Sequence, residues 1–172
     1  MADVPDIPRP SQLWKSLSTE RKLQAADAFW QDDNAAAEQA EAIAAIAQRI
    51  KFRLKSVQAL PRDKKSRYLT SLAGVSEIVA ARLLVAFHLH HQRPMMASFL
   101  DALGIAHEDG LIAEGDLEAP SPERLAEAAR TLGSSYAPED VSLYLATLIW
   151  QDPETWGPLA NAPELGTLVP RA

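Results

Sequence analysis

Apolar positions recur every three to four residues along most of the chain, the interval that places them on one stripe of a helix. Leu23, Ala26, Phe29 and Trp30 form one such stripe; Ile43, Ile46, Ala47, Ile50 and Leu54 form a second. From Ile78 to Leu89 apolar residues fill nearly every position, the pattern of a helix enclosed by its neighbours. No window alternates apolar and polar residues between turn signals as a half-buried strand would.

Punctuation sets the boundaries. Ser18, Ser76 and Ser121 stand where N-caps belong, and Asp32-Asp33-Asn34 breaks one helix and caps the next. Ser56 is expected to cap a short helical turn ending at Leu60. Pro61 opens the following helix and Gly74 stops it; Pro94 and Gly104 bracket another in the same way. Residues 105–120 read as loop, Gly133 with its two serines as a turn, Pro138 as the start of the last substantial helix, and 152–156 as a further turn.

The predicted fold is therefore all-α: a single compact, bundle-like domain of six to eight helices around a central apolar helix at about residues 76–92. Residues 1–17 are expected to form an extended, proline-containing arm tied down by Trp14 and Leu17. Residues 18–156 form the helical domain and 157–172 an irregular tail. The predicted core is Phe29, Trp30, Ile43, Ile46, Ile50, Leu72, Ile78, Leu83, Leu84, Phe87, Phe99, Leu103, Leu125, Leu143, Leu145 and Leu148.

Composition supports this picture. Alanine and leucine dominate and glycine is scarce, which favours helix because such side chains lose little freedom there. A chain of 172 residues buries about two thirds of its unfolded surface and needs no staple. It has no cysteine, which excludes disulfides, thiolate metal sites and cysteine nucleophiles. The N-terminal stretch has no apolar export segment, and the longest apolar run is broken by Arg82 and His88. A cytoplasmic protein with no membrane span is the expectation.

Charge is unevenly spread. The net charge is −6, yet Arg49 to Arg67 holds eight bases and one acid, a local +7, against nine bases and 22 acids elsewhere, or −13. Part of that cluster complements a helix C-terminus. The rest raises the question of an anionic partner.

Three stretches carry candidate chemistry. His88 and His91 share a helix face, a spacing at which two imidazoles hold a divalent metal, with His107, Glu108 or Asp109 as the third ligand and Arg93 ready to grip a carboxylate. The bland alternative is that histidines near a helix C-terminus satisfy carbonyls there. Second, Asp109-Gly110-Leu-Ile-Ala-Glu-Gly-Asp116 resembles the latter half of a calcium-binding EF-hand loop, which would imply calcium. Counting back from Gly110, however, the first and third ligand positions hold Ile105 and His107, so an acidic interhelical loop is the expected role.

The third stretch is Leu69-Thr-Ser-Leu72-Ala-Gly74-Val75-Ser76-Glu-Ile-Val-Ala80-Ala-Arg-Leu83, which resembles the helix-hairpin-helix motif of DNA-binding proteins. That resemblance implies a turn at Gly74–Ser76 offering backbone N–H groups to a phosphate, with Lys51, Arg53, Lys55, Lys64, Lys65 and Arg67 as flanking cations. Ser76 stands where the family has its second glycine, and Glu77 follows it.

No nucleophile elbow, phosphate-binding loop or dinucleotide fingerprint occurs. The sequence thus points first to a non-enzymatic interaction or structural protein with a protein partner and no cofactor. Nucleic-acid binding through residues 49–67 and the 69–84 corner comes second. Metal or small-ligand binding at the His88/His91 face comes third.

Overall fold

A computed structural model describes residues 7–112 and 117–166. Across those residues the protein is all-α apart from one two-residue ladder. The chain divides into two compact units, Arg9–His90 and the combination of Met1–Pro8 with His91–Ala172.

The Arg9–His90 unit comprises α1 (Pro10–Ser16), α2 (Thr19–Trp30), α3 (Ala36–Ile50), α4 (Leu54–Gln58), α5 (Arg62–Ser71) and α6 (Glu77–His91), the last crossing the boundary by one residue. The helix α1 corrects the expected extended arm; residues 1–6 of that arm lie outside the described residues. Pro10 sits in the first turn, where its missing N–H costs nothing, and the Arg9 amide donates to Gln12 Oε1 at 2.9 Å. Leu13 and Trp14 are buried by the turn so formed.

Ser18 caps α2, its Oγ accepting from the Arg21 amide at 3.2 Å. Helix α2 packs mainly on α5, burying Ala25, Ala26, Ala28 and Phe29. Asp32 does not cap α3. Its carboxylate accepts from Asn34 N, closing a turn, and the N-cap is Ala35. Nor does Ser56 open a helix: it lies inside α4, whose N-cap is Arg53. Helix α5 ends at Ser71, before Gly74, because Leu72 turns extended.

Helix α6 buries Val79, Ala80, Leu83, Leu84, Ala86, Phe87 and His88. Ile78, expected in the core, is 65% exposed because it lies in the first turn on the opposite side from Val79 and Ala80. Trp30, Ile50 and Leu72 are half-buried, each at or beside a helix end.

The second unit contains α7 (Arg93–Leu103), the strands β1 (His107–Glu108) and β2 (Leu111–Ile112), α8 (Pro122–Ser135), α9 (Pro138–Gln151) and α10 (Pro153–Trp156). Two 3-10 turns, Gly157–Asn161 and Pro163–Leu165, follow and replace the irregular tail expected there, with Leu159 and Leu165 buried; residues 167–172 lie outside the described residues. Ten α-helices among the described residues exceed the expected six to eight because α1, α4 and α10 are too short to show a periodic stripe.

Helix α7 packs on α8. Gly104 stops α7 in the left-handed conformation at φ +69, and the Arg124 guanidinium of α8 donates to the Leu103 carbonyl exposed there. In α9 every residue from Val141 to Ile149 is buried, including Ser142 and Thr147, whose hydroxyls bond back to the Glu139 and Leu143 carbonyls. Tyr144 meets Phe99 edge-on at 5.7 Å. Trp150 of α9 donates its indole N–H to the Pro8 carbonyl at 2.8 Å.

Gly133, expected to turn the chain, lies within α8. A glycine there weakens the helix by roughly 0.5–1 kcal/mol relative to alanine, so a close neighbour is the natural explanation. That neighbour is Glu164, whose Cγ would lie 3.1 Å from a Cβ at position 133.

Candidate functional site

The strands β1 and β2 have no counterpart among the predicted elements, and they reorganise the histidine neighbourhood. They form an antiparallel hairpin pairing His107 with Ile112 and Glu108 with Leu111. The two turn residues, Asp109 (φ +52) and Gly110 (φ +87), both take positive φ, as a tight two-residue hairpin turn requires. The Asp-Gly pair was the available signal. Gly110 also permits close approach, since a Cβ there would stand 2.9 Å from Met96 Cβ and 3.1 Å from the Arg93 carbonyl.

Side chains fasten this hairpin to α7. Arg93 Nη1 donates to the Asp109 carbonyl at 3.2 Å and lies 3.8 Å from its carboxylate. His107 accepts the Gly110 amide at Nδ1 (3.1 Å) and meets Asp101 Oδ1 at Nε2 (2.6 Å). An accepting Nδ1 leaves the proton on Nε2 in the neutral ring, which makes Asp101 its acceptor. Arg93, His107 and Asp109 are thus brought together, in a clasp that holds a turn. Among the described residues no three His, Asp or Glu side chains form a group able to hold a metal. Residues 113–116 of the EF-hand-like segment lie outside the described residues.

His88 and His91 do not share a common environment. His91 is exposed, whereas His88 is buried with Nδ1 donating to the Leu84 carbonyl at 2.8 Å. Burial pushes the His88 pKa down to about 4, opposed by the Leu84 hydrogen bond and assisted by the charge of Arg21. The ring packs edge-on to Phe87 at 5.5 Å. It is a neutral core histidine.

The Gly74–Ser76 corner precedes α6 as the helix-hairpin-helix resemblance implies, but acids occupy it. Ser76 Oγ accepts the Val79 amide at 3.3 Å and donates to Glu41 Oε2 at 3.0 Å. Glu77 accepts both the amide (3.0 Å) and the hydroxyl of Ser11, and stands 3.8 Å from Arg9 Nε. Glu77 therefore caps α1, and the Glu41 and Glu77 carboxylates make the corner acidic. The corner's hydrogen-bonding capacity serves the fold.

The basic segment behaves differently. Lys65 sits over the Trp30 ring at 4.9 Å and Arg67 lies 3.9 Å from Asp63, so these two have internal roles. Arg49, Lys51, Arg53, Lys55, Arg62 and Lys64 are exposed and have no ion-pair partner among the described residues.

Lys51 ends α3 in the left-handed conformation (φ +58, ψ +40), a strained state for a residue with a Cβ. The Phe52 amide closes back onto the Ala47 carbonyl at 3.1 Å, and the chain then leaves with Phe52 50% exposed and Leu54 57% exposed. Two large apolar side chains in solvent, alternating with Lys51, Arg53 and Lys55, are functional candidates that helical periodicity conceals, since it places Leu54 on the stripe of α3. The alternation itself was the signal, because a period of two cannot share one helix face.

No protein-family model, curated protein or solved structure matches the chain.

Proposed function

We propose that this is a non-enzymatic, cytoplasmic binding protein whose working surface is the connection Arg49–Lys55 between α3 and α4. Its partner is a protein segment that carries acidic and apolar side chains together. The observation that supports this most directly is the exposure of Phe52 and Leu54 among four cations that have no ion-pair partner among the described residues. Exposed apolar groups rimmed by charge mark interaction surfaces. Aromatic side chains dominate the energy of such contacts and surrounding charge sets orientation and rate.

The strain at Lys51 supports the same reading. A glycine would end α3 without steric strain, whereas lysine holds a cation beside Phe52 at an expense of about 1–2 kcal/mol. Among the described residues no helix is long and apolar enough to cross a membrane. A chain without cysteine needs no oxidising compartment.

Nucleic acid is the competing partner, because an exposed phenylalanine among bases also suits stacking on an unpaired base. The acids at the Ser76 corner and the −13 carried outside residues 49–67 weigh against it. A photo-crosslinking phenylalanine analogue placed at position 52 separates the two. The expected adduct is a protein, resists nuclease, and disappears when Lys51, Arg53 and Lys55 are all changed to glutamate. An adduct removed by nuclease, or a protein adduct indifferent to the charge reversal, overturns the proposal.

A further inference from the structure

The second unit holds an open cavity of about 310 Å³ between α8, α9 and the 3-10 turn Pro163–Leu165, with Arg130, Gly133, Pro138 and Pro163 on its exposed rim. Its size lies at the lower end of ligand pockets, suited to a small molecule. Arg130 and Gly133 line it from α8, Pro138 and Val141 from α9, and Pro163 and Glu164 from the turn.

Two charges face this space without meeting. Glu164 and Arg130 form no ion pair with each other, and neither has another partner among the described residues. Glu164 Oε2 is shielded from solvent and receives no hydrogen bond. A carboxylate oxygen enclosed without a donor is costly, and native structures seldom leave one so. The position is also built for it, because Gly133 gives up helix stability in α8 where a Cβ would press on Glu164 Cγ.

A ligand that completes this arrangement brings a cation to Glu164, an anion to Arg130 and an aliphatic part to Pro138, Val141 and Pro163. A guanidinium recognises a carboxylate by paired, charge-assisted hydrogen bonds, and a carboxylate takes the three donors of an ammonium. A free aliphatic α-amino acid has all three parts at a suitable size. We propose that this cavity binds a free aliphatic α-amino acid, with its ammonium on Glu164, its carboxylate on Arg130 and its side chain against the proline and valine wall.

Calorimetric titration of the full chain tests this with L-leucine and two analogues: 4-methylpentanoate, which lacks the ammonium, and 3-methylbutylamine, which lacks the carboxylate. Leucine is expected to bind at millimolar concentration or below. Each analogue should bind at least about tenfold more weakly, as the loss of one charged contact implies. Glu164→Gln and Arg130→Gln should each cost about the same factor for leucine, and Gly133→Ala should weaken binding by displacing Glu164 while leaving the helical circular dichroism intact. Gly133→Ala is the control for folding, because alanine favours helix. Absence of leucine binding, equal binding of either analogue, or variants that bind as the parent does would each overturn the proposal.

Discussion

Replacing His88 by phenylalanine should flatten the dependence of stability on acid. In the folded protein burial holds the imidazole neutral down to about pH 4, whereas the unfolded chain protonates it at the ordinary value of 6.5. Above pH 6.5 neither state carries the proton and the contribution is fully present. As pH falls from 6.5 toward 4 the unfolded state takes up a proton that the folded state refuses, so stability is lost across that window. Each pH unit crossed inside it costs about 1.36 kcal/mol, so the loss reaches about 2 kcal/mol at pH 5. For a chain of this size that is a fall of roughly 4–8 °C in melting temperature.

The His88→Phe variant removes the titrating group and keeps a ring of similar bulk. It orphans no carbonyl, because the Leu84 oxygen still receives the helical amide of residue 88. Urea unfolding of both proteins at pH 7 and pH 5 is the measurement. The wild type should lose about 2 kcal/mol more than the variant over that interval, with other titrating groups cancelling in the difference. Parallel losses would show that His88 is hydrated or charged in the folded state, and the reading of a neutral core histidine would fall.

Other outcomes follow from the same geometry. Gly110→Ala forces a side chain to adopt φ +87 and presses its Cβ on Met96 and the Arg93 carbonyl, so the melting temperature should drop by several degrees, for a loss of about 2 kcal/mol. Lys51→Gly relieves the left-handed strain and should raise stability to urea by about 0.5–1 kcal/mol, while weakening the crosslink at position 52. Phe99→Ala opens a cavity beside Tyr144 and Trp156 and should cost about 3–5 kcal/mol in the same assay.

Helix grammar is legible in the sequence where a side chain alone decides the matter. Ser18, Ser76 and Ser121 each accept the amide three residues on, and Gly104 takes the left-handed stop. Local pattern misleads where two signals compete. Pro10 reads as a helix breaker, though in a first turn it is harmless. Gly133 reads as a stop, but its reason lies 31 residues along the chain in Glu164, a contact that no local pattern reveals. Asp109-Gly110 reads as part of an acidic loop, yet its backbone preference specifies a hairpin.

The candidate site is less legible still. Of the residues singled out for chemistry, Arg93, His107 and Asp109 do converge, but on a turn. Phe52 and Leu54 escape notice because the helical stripe of α3 claims Leu54, which hides their period-two alternation with Lys51, Arg53 and Lys55. Arg130 and Glu164 are invisible because neither has a neighbour in sequence that marks it.

The division of the chain at His90 and His91 has an electrical counterpart. Arg9–His90 carries 13 bases and eight acids, a surplus of +5; the remaining residues carry four bases and 15 acids, a deficit of −11. A single net charge of −6 therefore describes neither unit. An approaching anionic molecule is repelled by one unit and drawn to the other before any contact forms, so encounters with the two differ in frequency. Salt, which shortens the reach of such fields to about 10 Å at 0.1 M, should erase that difference well before it weakens the apolar contact proposed at Phe52 and Leu54.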